Sequence, residues 1–199
     1  MPTAYCFDLD GTITKDEILP ILSREIGLFE EIAALTEATV QGVIPFRRSF
    51  LLRCRLLGEI PVSRVQEIIA KVRMNEEILA FIRRNKDNCF VITGNLDAWV
   101  APLVETVGCR FFCSNANVDG DRLTGVGHVL NKADAVAEIR PNYEKIVAIG
   151  DGMGDVQMFE QSDVCVAFGG THRPIQTLLQ LAHFVSFNER SLCNLLNTL

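Results

Sequence analysis

The sequence predicts an α/β fold: a three-layer α/β/α, Rossmann-like parallel sheet with an α-helical cap inserted after the first strand. Three observations predict it. Short apolar runs alternate with amphipathic segments of helix length. Most of these runs are apolar on both faces, as expected of parallel strands covered by helices on each side. One long interval, between the first strand and Cys89, carries helical periodicity alone.

The strands fall at 4–7, 89–93, 110–113, 146–149, 164–167 and 184–187. Helices are expected around 76–85, 97–107, 132–140, 154–161, 173–182 and 189–198. In the long interval, Ile18, Ile21, Leu22 and Ile26 share one face of a first helix, with Gly27 as its stop. Pro45 suits the first turn of another, whose apolar positions include Phe46, Phe50 and Leu57. Ser63 suits the cap of a third, carrying Val65, Ile68, Ile69 and Val72. This divides the chain into a core, 1–13 and 78–199, and a cap, 14–77. Asp119-Gly120-Asp121 reads as a hairpin turn.

Composition narrows the function. The 199 residues suit one domain carrying an insertion, and 48% hydrophobic with 22% charged residues is globular. A net charge of -6 offers no electrostatic reason to bind nucleic acid or an anionic membrane. Seven cysteines, odd in number and without a C-x-x-C pair, fit a reducing compartment better than a disulfide framework. The start shows no basic region leading into an apolar stretch, and no apolar run approaches the roughly 20 residues that cross a bilayer. A soluble, cytoplasmic protein is expected.

Three segments carry chemistry: Phe7-Asp8-Leu9-Asp10-Gly11-Thr12, Val91-Ile92-Thr93-Gly94-Asn95 and Ile149-Gly150-Asp151-Gly152-Met153-Gly154-Asp155. Asp8, Thr93 and Asp151 each follow an apolar strand, so they fall at the carboxyl edge of the sheet, where ligands of such folds bind. Converging carboxylates repel unless protonated or neutralised, and Mg²⁺ is the usual cation beside phosphate. Asp8 is ionised at neutral pH and needs no activating base to act as a nucleophile. Asp10 is placed to protonate a leaving oxygen and then to activate water. Thr93 offers a hydroxyl to a phosphate oxygen. Lys132 follows Asn131, a suitable N-cap, and sits in a first helical turn where the helix dipole disfavours a cation; that placement hints at function.

DLDGT, ITG, Lys132 and GDGMGD, in this order, resemble the four motifs of the haloacid dehalogenase-like hydrolase superfamily. The helical insertion resembles the cap of its phosphoserine-phosphatase-like branch. The resemblance implies Mg²⁺-dependent hydrolysis of a small phosphorylated metabolite through an aspartyl phosphate on Asp8, with Asp10 as general acid and base. Thr93 and Lys132 would hold the phosphoryl group. Asp8, Asp151 and the backbone carbonyl of Asp10 would hold the metal, and Asp155 would orient Lys132 or the metal's water shell. Glu17 and Arg53 resemble positions that bind a substrate's amino and carboxylate groups, and Thr12 and Gly94 join them as substrate-binding residues. The stretch 42–57, with Phe46, Ser49 and Arg53, is similar to the branch's cap signature. Gly154 stands where the branch usually has Asn, so phosphoserine itself is not implied.

Plainer readings accompany each residue. Thr93 suits the cap of the following helix, Thr14-Lys15-Asp16-Glu17 matches a capping box, and Arg53 lies among Arg47, Arg48 and Arg55 as on a solvated face. Asp155 reads equally as a first-turn acid stabilising its own helix. His128, His172 and His183 are isolated from one another and from the motifs, and Trp99 reads as core. The alternative functions are phosphotransfer to a second alcohol, a non-catalytic module that holds Mg²⁺ and a phosphoryl group, and carbon–halogen hydrolysis. The first differs in products, the second in turnover, and the third in sensitivity to chelators.

Overall fold

The computed structural model describes residues 2–40 and 43–199, the side chain of Val40 excepted. Gly42, where the cap-like stretch begins, lies outside them. Seven strands form one sheet: β1 (Thr3–Phe7), β2 (Cys89–Leu96), β3 (Arg110–Asp119), β4 (Arg122–His128), β5 (Lys145–Gly150), β6 (Val164–Phe168) and β7 (Phe184–Ser186). Their order is β4-β3-β2-β1-β5-β6-β7, and every pairing is parallel except β3 with β4. The six expected strands are present. The hairpin at Gly120, whose φ is 58°, adds an antiparallel edge strand that the runs of apolar residues did not reveal. Residues of β4 are mostly exposed, so they carry no continuous apolar signal.

Alternation along the central strands explains the layers. Ala4 and Cys6 of β1, Phe90 and Ile92 of β2, and Ile146 and Ala148 of β5 pack into one core cluster. Phe7, Val91, Val147 and Ile149 point the other way into a second. Strands buried on both faces need no polar alternation, which is why they read as unbroken apolar runs. Helices α7 (Lys132–Ile139), α8 (Val156–Glu160) and α9 (Gln176–Leu181) cover the first face through Val136, Met158 and Leu178. Helices α5 (Glu76–Arg84), α6 (Asp97–Val107) and α10 (Glu189–Leu196) cover the second through Ile78, Trp99 and Leu192.

Between β1 and α5 the chain is helical throughout: α1 (Ile18–Glu25), α2 (Phe29–Val40), α3 (Phe46–Leu57) and α4 (Val62–Ile69). Gly27, at φ 69°, ends α1 as expected. Pro45 precedes α3 as its N-cap rather than sitting in its first turn. Ser63 does not cap α4; it lies inside it, and its N–H and hydroxyl both donate to the Asp121 carboxylate at 2.7 and 2.6 Å. The hairpin between β3 and β4 thus supplies the missing acceptor at the start of α4. Where the helical segment leaves and rejoins the rest, Thr14 and Met74 form an isolated antiparallel bridge, Lys15 N–H donates to Arg73 O at 2.8 Å, and Asp16 pairs with Arg73.

Candidate active site

β1, β2 and β5 are adjacent, and their carboxyl ends open into one cavity of about 490 Å³. Its wall includes Asp8, Asp10, Thr93, Asp151 and Asp155 from the strand ends and the turns that follow them, Lys132 from the start of α7, and Glu17 and Arg53 from the helical segment. Gly94 also lines it, where a Cβ would meet the Phe46 ring at 3.5 Å. Thr12 does not line it. That residue is fully buried, its carbonyl accepts from Asn75 Nδ2 at 2.7 Å, and its hydroxyl has no partner among the described residues.

The chain turns sharply after β1, where Gly11 takes φ 70°. A Cβ there would overlap Asp151 Oδ2, so glycine is required both by the left-handed backbone and by the approach of β5. Asp8 heads this turn. Lys132 Nζ contacts Asp8 Oδ1 and lies 2.7 Å from Asp155 Oδ1. Asp155 Oδ2 accepts from the N–H groups of Asp151 and Gly152, each at 3.0 Å. Asp8, Lys132, Asp151 and Asp155 are all buried, so these contacts act in a poorly screened medium. Burial alone would lower the Lys132 ammonium, but Asp155 and Asp8 outweigh it and hold it above its ordinary range. Burial pushes the Asp8 carboxyl well up, Asp155 adds to the rise, and Lys132 opposes it. Asn131 Oδ1 caps α7 by accepting from Ala133 N–H, which fixes the turn from which Lys132 projects.

Asp10 has a different environment. Its Oδ1 accepts from Ile18 N–H, the first of α1, at 2.9 Å, and Asn95 Nδ2 donates to its Oδ2. Burial and then Glu17 push its carboxyl up to about 7. Asn95 also ties in Thr93, whose Oγ1 accepts from Asn95 N–H at 3.1 Å and Nδ2 at 3.2 Å. Thr93 therefore lies within β2 and does not cap α6. The Asn95 bridge was not foreseen, although the residue sits inside a quoted motif; only the turn at the end of β2 brings its amide back to Asp10.

Two plainer readings fail on geometry. Thr14 donates its hydroxyl to Leu9 O and Asp16 O, and Glu17 makes no capping bond at the start of α1, so no capping box exists there. Arg53 is 8% exposed, whereas Arg47, Arg48 and Arg55 are exposed, so it does not belong to a solvated face. Its Nε and Nη1 reach Ser49 O and Thr36 Oγ1, each at 3.4 Å. Among the described residues no carboxylate lies within ion-pair distance of it. Trp99 is fully buried in the core, as expected.

His172 is a correction. It is not isolated from the motifs: its Nε2 lies 2.6 Å from Asp151 Oδ2 and 3.0 Å from Glu17 Oε1. The Asp151 carboxylate beside it and then Glu17 push its imidazole up to about 11. Burial pushes Asp151 up to about 6, with His172 opposing the rise. Nothing in the local sequence signals this, because the contact joins the loop after β6 to the end of β5 and the foot of α1.

The residues fit a hard cation. Carboxylate oxygens of Asp8, Asp151 and Asp155 lie within 4.8 Å of one another, and all three residues are buried. Asp151 Oδ2 is buried and makes no well-aligned hydrogen bond. A second group, Glu17, Asp151 and His172, has ligating atoms equally close but is partly exposed.

The haloacid dehalogenase-like hydrolase family model matches residues 6–160, and the chain belongs to that family. It is 30% identical over 175 residues to a phosphoserine phosphatase of Archaeoglobus fulgidus, covering 81% of this chain and 51% of that protein. A phosphoserine phosphatase of Methanocaldococcus jannaschii is 28% identical over 177 residues, 81% of this chain and 83% of that one. The chain thus spans about half the length of the first relative and most of the second. A solved structure of a phospho-aspartyl intermediate analogue of phosphoserine phosphatase superposes with a TM-score of 0.82 at 26% identity, covering 96% of this chain and 97% of the other.

Proposed function

We propose that the chain is a Mg²⁺-dependent phosphatase that hydrolyses a small phosphomonoester, phosphoserine-like or otherwise, through an aspartyl phosphate on Asp8. One observation carries the reading: a single cavity holds two carboxyls with opposite surroundings. Asp8 touches the Lys132 ammonium, while Asp10 is held by neutral donors and pushed up to about 7. The ammonium against Asp8 suits a carboxylate that attacks, and the neutral donors around Asp10 suit a carboxyl that carries a proton.

Asp8 attacks phosphorus, and the bond from phosphorus to the alcohol oxygen breaks as Asp10 gives that oxygen its proton. Thr93 and Lys132 bind the phosphoryl oxygens, and Asp155 positions Lys132. Asp10, now a carboxylate, takes a proton from water as the water attacks the aspartyl phosphate, which frees Asp8 and inorganic phosphate. Asp8, Asp151 and the backbone carbonyl of Asp10 are the residues we assign to Mg²⁺. When bound, the ion supplies the charge that keeps crowded carboxylates ionised beside a phosphoryl group.

Residues 14–77 act as a cap that excludes bulk water during phosphorylation and opens to release the alcohol. Arg53 and Glu17, both from this segment, face the substrate. No helix among the described residues is long and apolar enough to cross a membrane. We place the enzyme in the cytoplasm, a setting that suits its free and mostly buried cysteines. Turnover of p-nitrophenyl phosphate with Mg²⁺ tests the reading, and absence of turnover across the pH range would sink it. Product analysis with added alcohols separates hydrolysis from phosphotransfer.

A further inference from the structure

Resting on that reading, we infer that Asn95 is a positioning residue for phosphoryl transfer: its amide aims the Asp10 carboxyl at the leaving oxygen and turns the Thr93 hydroxyl toward the phosphoryl group. The backbone builds this bridge. Ile92 of β2 pairs with Phe112 of β3 and Leu96 with Ser114, so residues 93–95 bulge out of register. A bulge re-aims the side chains it carries. Here it is pinned from β3, where the fully buried Ser114 donates its hydroxyl to Gly94 O at 2.8 Å and accepts from Leu130 N–H at 3.0 Å.

Asn95 is buried, and its amide nitrogen faces two acceptors. One is Asp10 Oδ2, and the other is Thr93 Oγ1 at 3.2 Å. The second Asp10 oxygen, Oδ1, accepts from Ile18 N–H at 2.9 Å. Each oxygen thus has its own donor, one from the end of β2 and one from the start of α1, which fixes the plane of the carboxyl. In the proposed first step the bond from phosphorus to the alcohol oxygen breaks and the Asp10 proton passes to that oxygen. Such a transfer needs hydrogen-bond reach, so the orientation of the carboxyl decides whether it occurs.

Thr93 is set by the same residue. Its Oγ1 also accepts from Asn95 N–H at 3.1 Å. A hydroxyl oxygen has two acceptor positions, and Asn95 fills both. The O–H is left to donate, and Thr93 lines the cavity where a phosphoryl oxygen would receive it. One side chain therefore orients both the proton carrier and a phosphoryl donor, and touches neither reacting atom.

The experiment measures kcat/KM for phenyl phosphate and p-nitrophenyl phosphate with Mg²⁺, in wild type, Asn95→Ala and Asn95→Ser. The esters share a ring and differ in the leaving group: phenolate needs a proton as it departs, and p-nitrophenolate does not. Asn95→Ala removes the donor, while Asn95→Ser keeps a polar group too short to reach Asp10; should one variant fail to fold, the other carries the test. For phenyl phosphate kcat/KM should fall about 10²-fold, and for p-nitrophenyl phosphate about tenfold or less, through Thr93 alone. The ratio of the two esters then shifts about tenfold, which a merely structural loss, acting on both alike, would not produce. Equal losses on the two esters, down to the limit of detection, overturn the inference, as does wild-type activity in the variants. Wild type that hydrolyses p-nitrophenyl phosphate but not phenyl phosphate overturns it too, since no acid would then serve the leaving oxygen. Failure of wild type on both esters overturns the phosphatase reading itself.

Discussion

Lys132 Nζ lies 2.7 Å from Asp155 Oδ1, while the other Asp155 oxygen is held by the N–H groups of Asp151 and Gly152. One carboxylate thereby joins the helix that carries the lysine to the turn that carries Asp151. On the proposed reading Asp155 acts as a positioning residue. Asp155→Asn leaves an acceptor for the backbone but turns its charge off, and kcat should fall about 10²-fold with a smaller change in KM. Steady-state kinetics on p-nitrophenyl phosphate checks this; an unaltered kcat would remove Asp155 from the machinery.

Gly150 gives an independent handle on the same relationship. A Cβ at that position would overlap Cγ of Asp155, and both residues are buried with little room to shift. Gly150→Ala should lower stability by about 1–3 kcal/mol and reduce kcat as Asp155 does. Denaturant unfolding and kinetics measured together separate the two effects.

Asp8→Asn keeps the shape of the side chain and removes its nucleophilicity. Turnover should vanish with no acid-stable phosphoenzyme formed. Stability should hold or rise, because burial makes the Asp8 charge costly in the folded chain. Residual turnover near the wild-type rate would transfer the nucleophile's role elsewhere.

Asp10 predicts a pH dependence. With its carboxyl pushed up to about 7 by burial and by Glu17, the protonated form predominates below that pH and disappears above it. The first step needs the proton, so kcat/KM for an alkyl phosphate should fall as pH rises through about 7. p-Nitrophenolate leaves without protonation, and its ester should lack that fall. Matching profiles for the two esters would exclude Asp10 as the acid.

Chelation should stop catalysis, and Mg²⁺ should restore it. A binding readout is also available, since a cation that binds only the folded chain raises the melting temperature; at a hundredfold excess over Kd the gain is about 2.7 kcal/mol. Asp151→Asn should lose most of that shift. If Mg²⁺ fails to move the melting temperature of wild type, the carboxylate cluster is not its site.

Arg53→Ala should raise KM about ten- to hundredfold for a carboxylated phosphomonoester and far less for p-nitrophenyl phosphate. A KM that does not distinguish the two substrates would remove Arg53 from carboxylate recognition.

The amino-acid sequence alone determined the layered sheet, because strands buried on both faces must be apolar throughout and helices must carry an apolar stripe. It also determined that Asp8, Thr93 and Asp151 share one edge, since each follows a strand and parallel strands end on the same side. The edge strand β4 stayed hidden because its residues are mostly exposed and carry no such pattern.

Only the tertiary structure decided which side chains touch. Local sequence fitted Arg53 equally to water and to the cavity, and the packing of α3 against its neighbours buried it. Thr12 belongs to a motif yet is fully buried and does not line the cavity. His172 looked unconnected to any site, and the loop after β6 carried it between Glu17 and Asp151. Backbone periodicity is a local property that reads directly from residue order. The meeting of distant charges depends on the path of every intervening loop, and no local pattern encodes that.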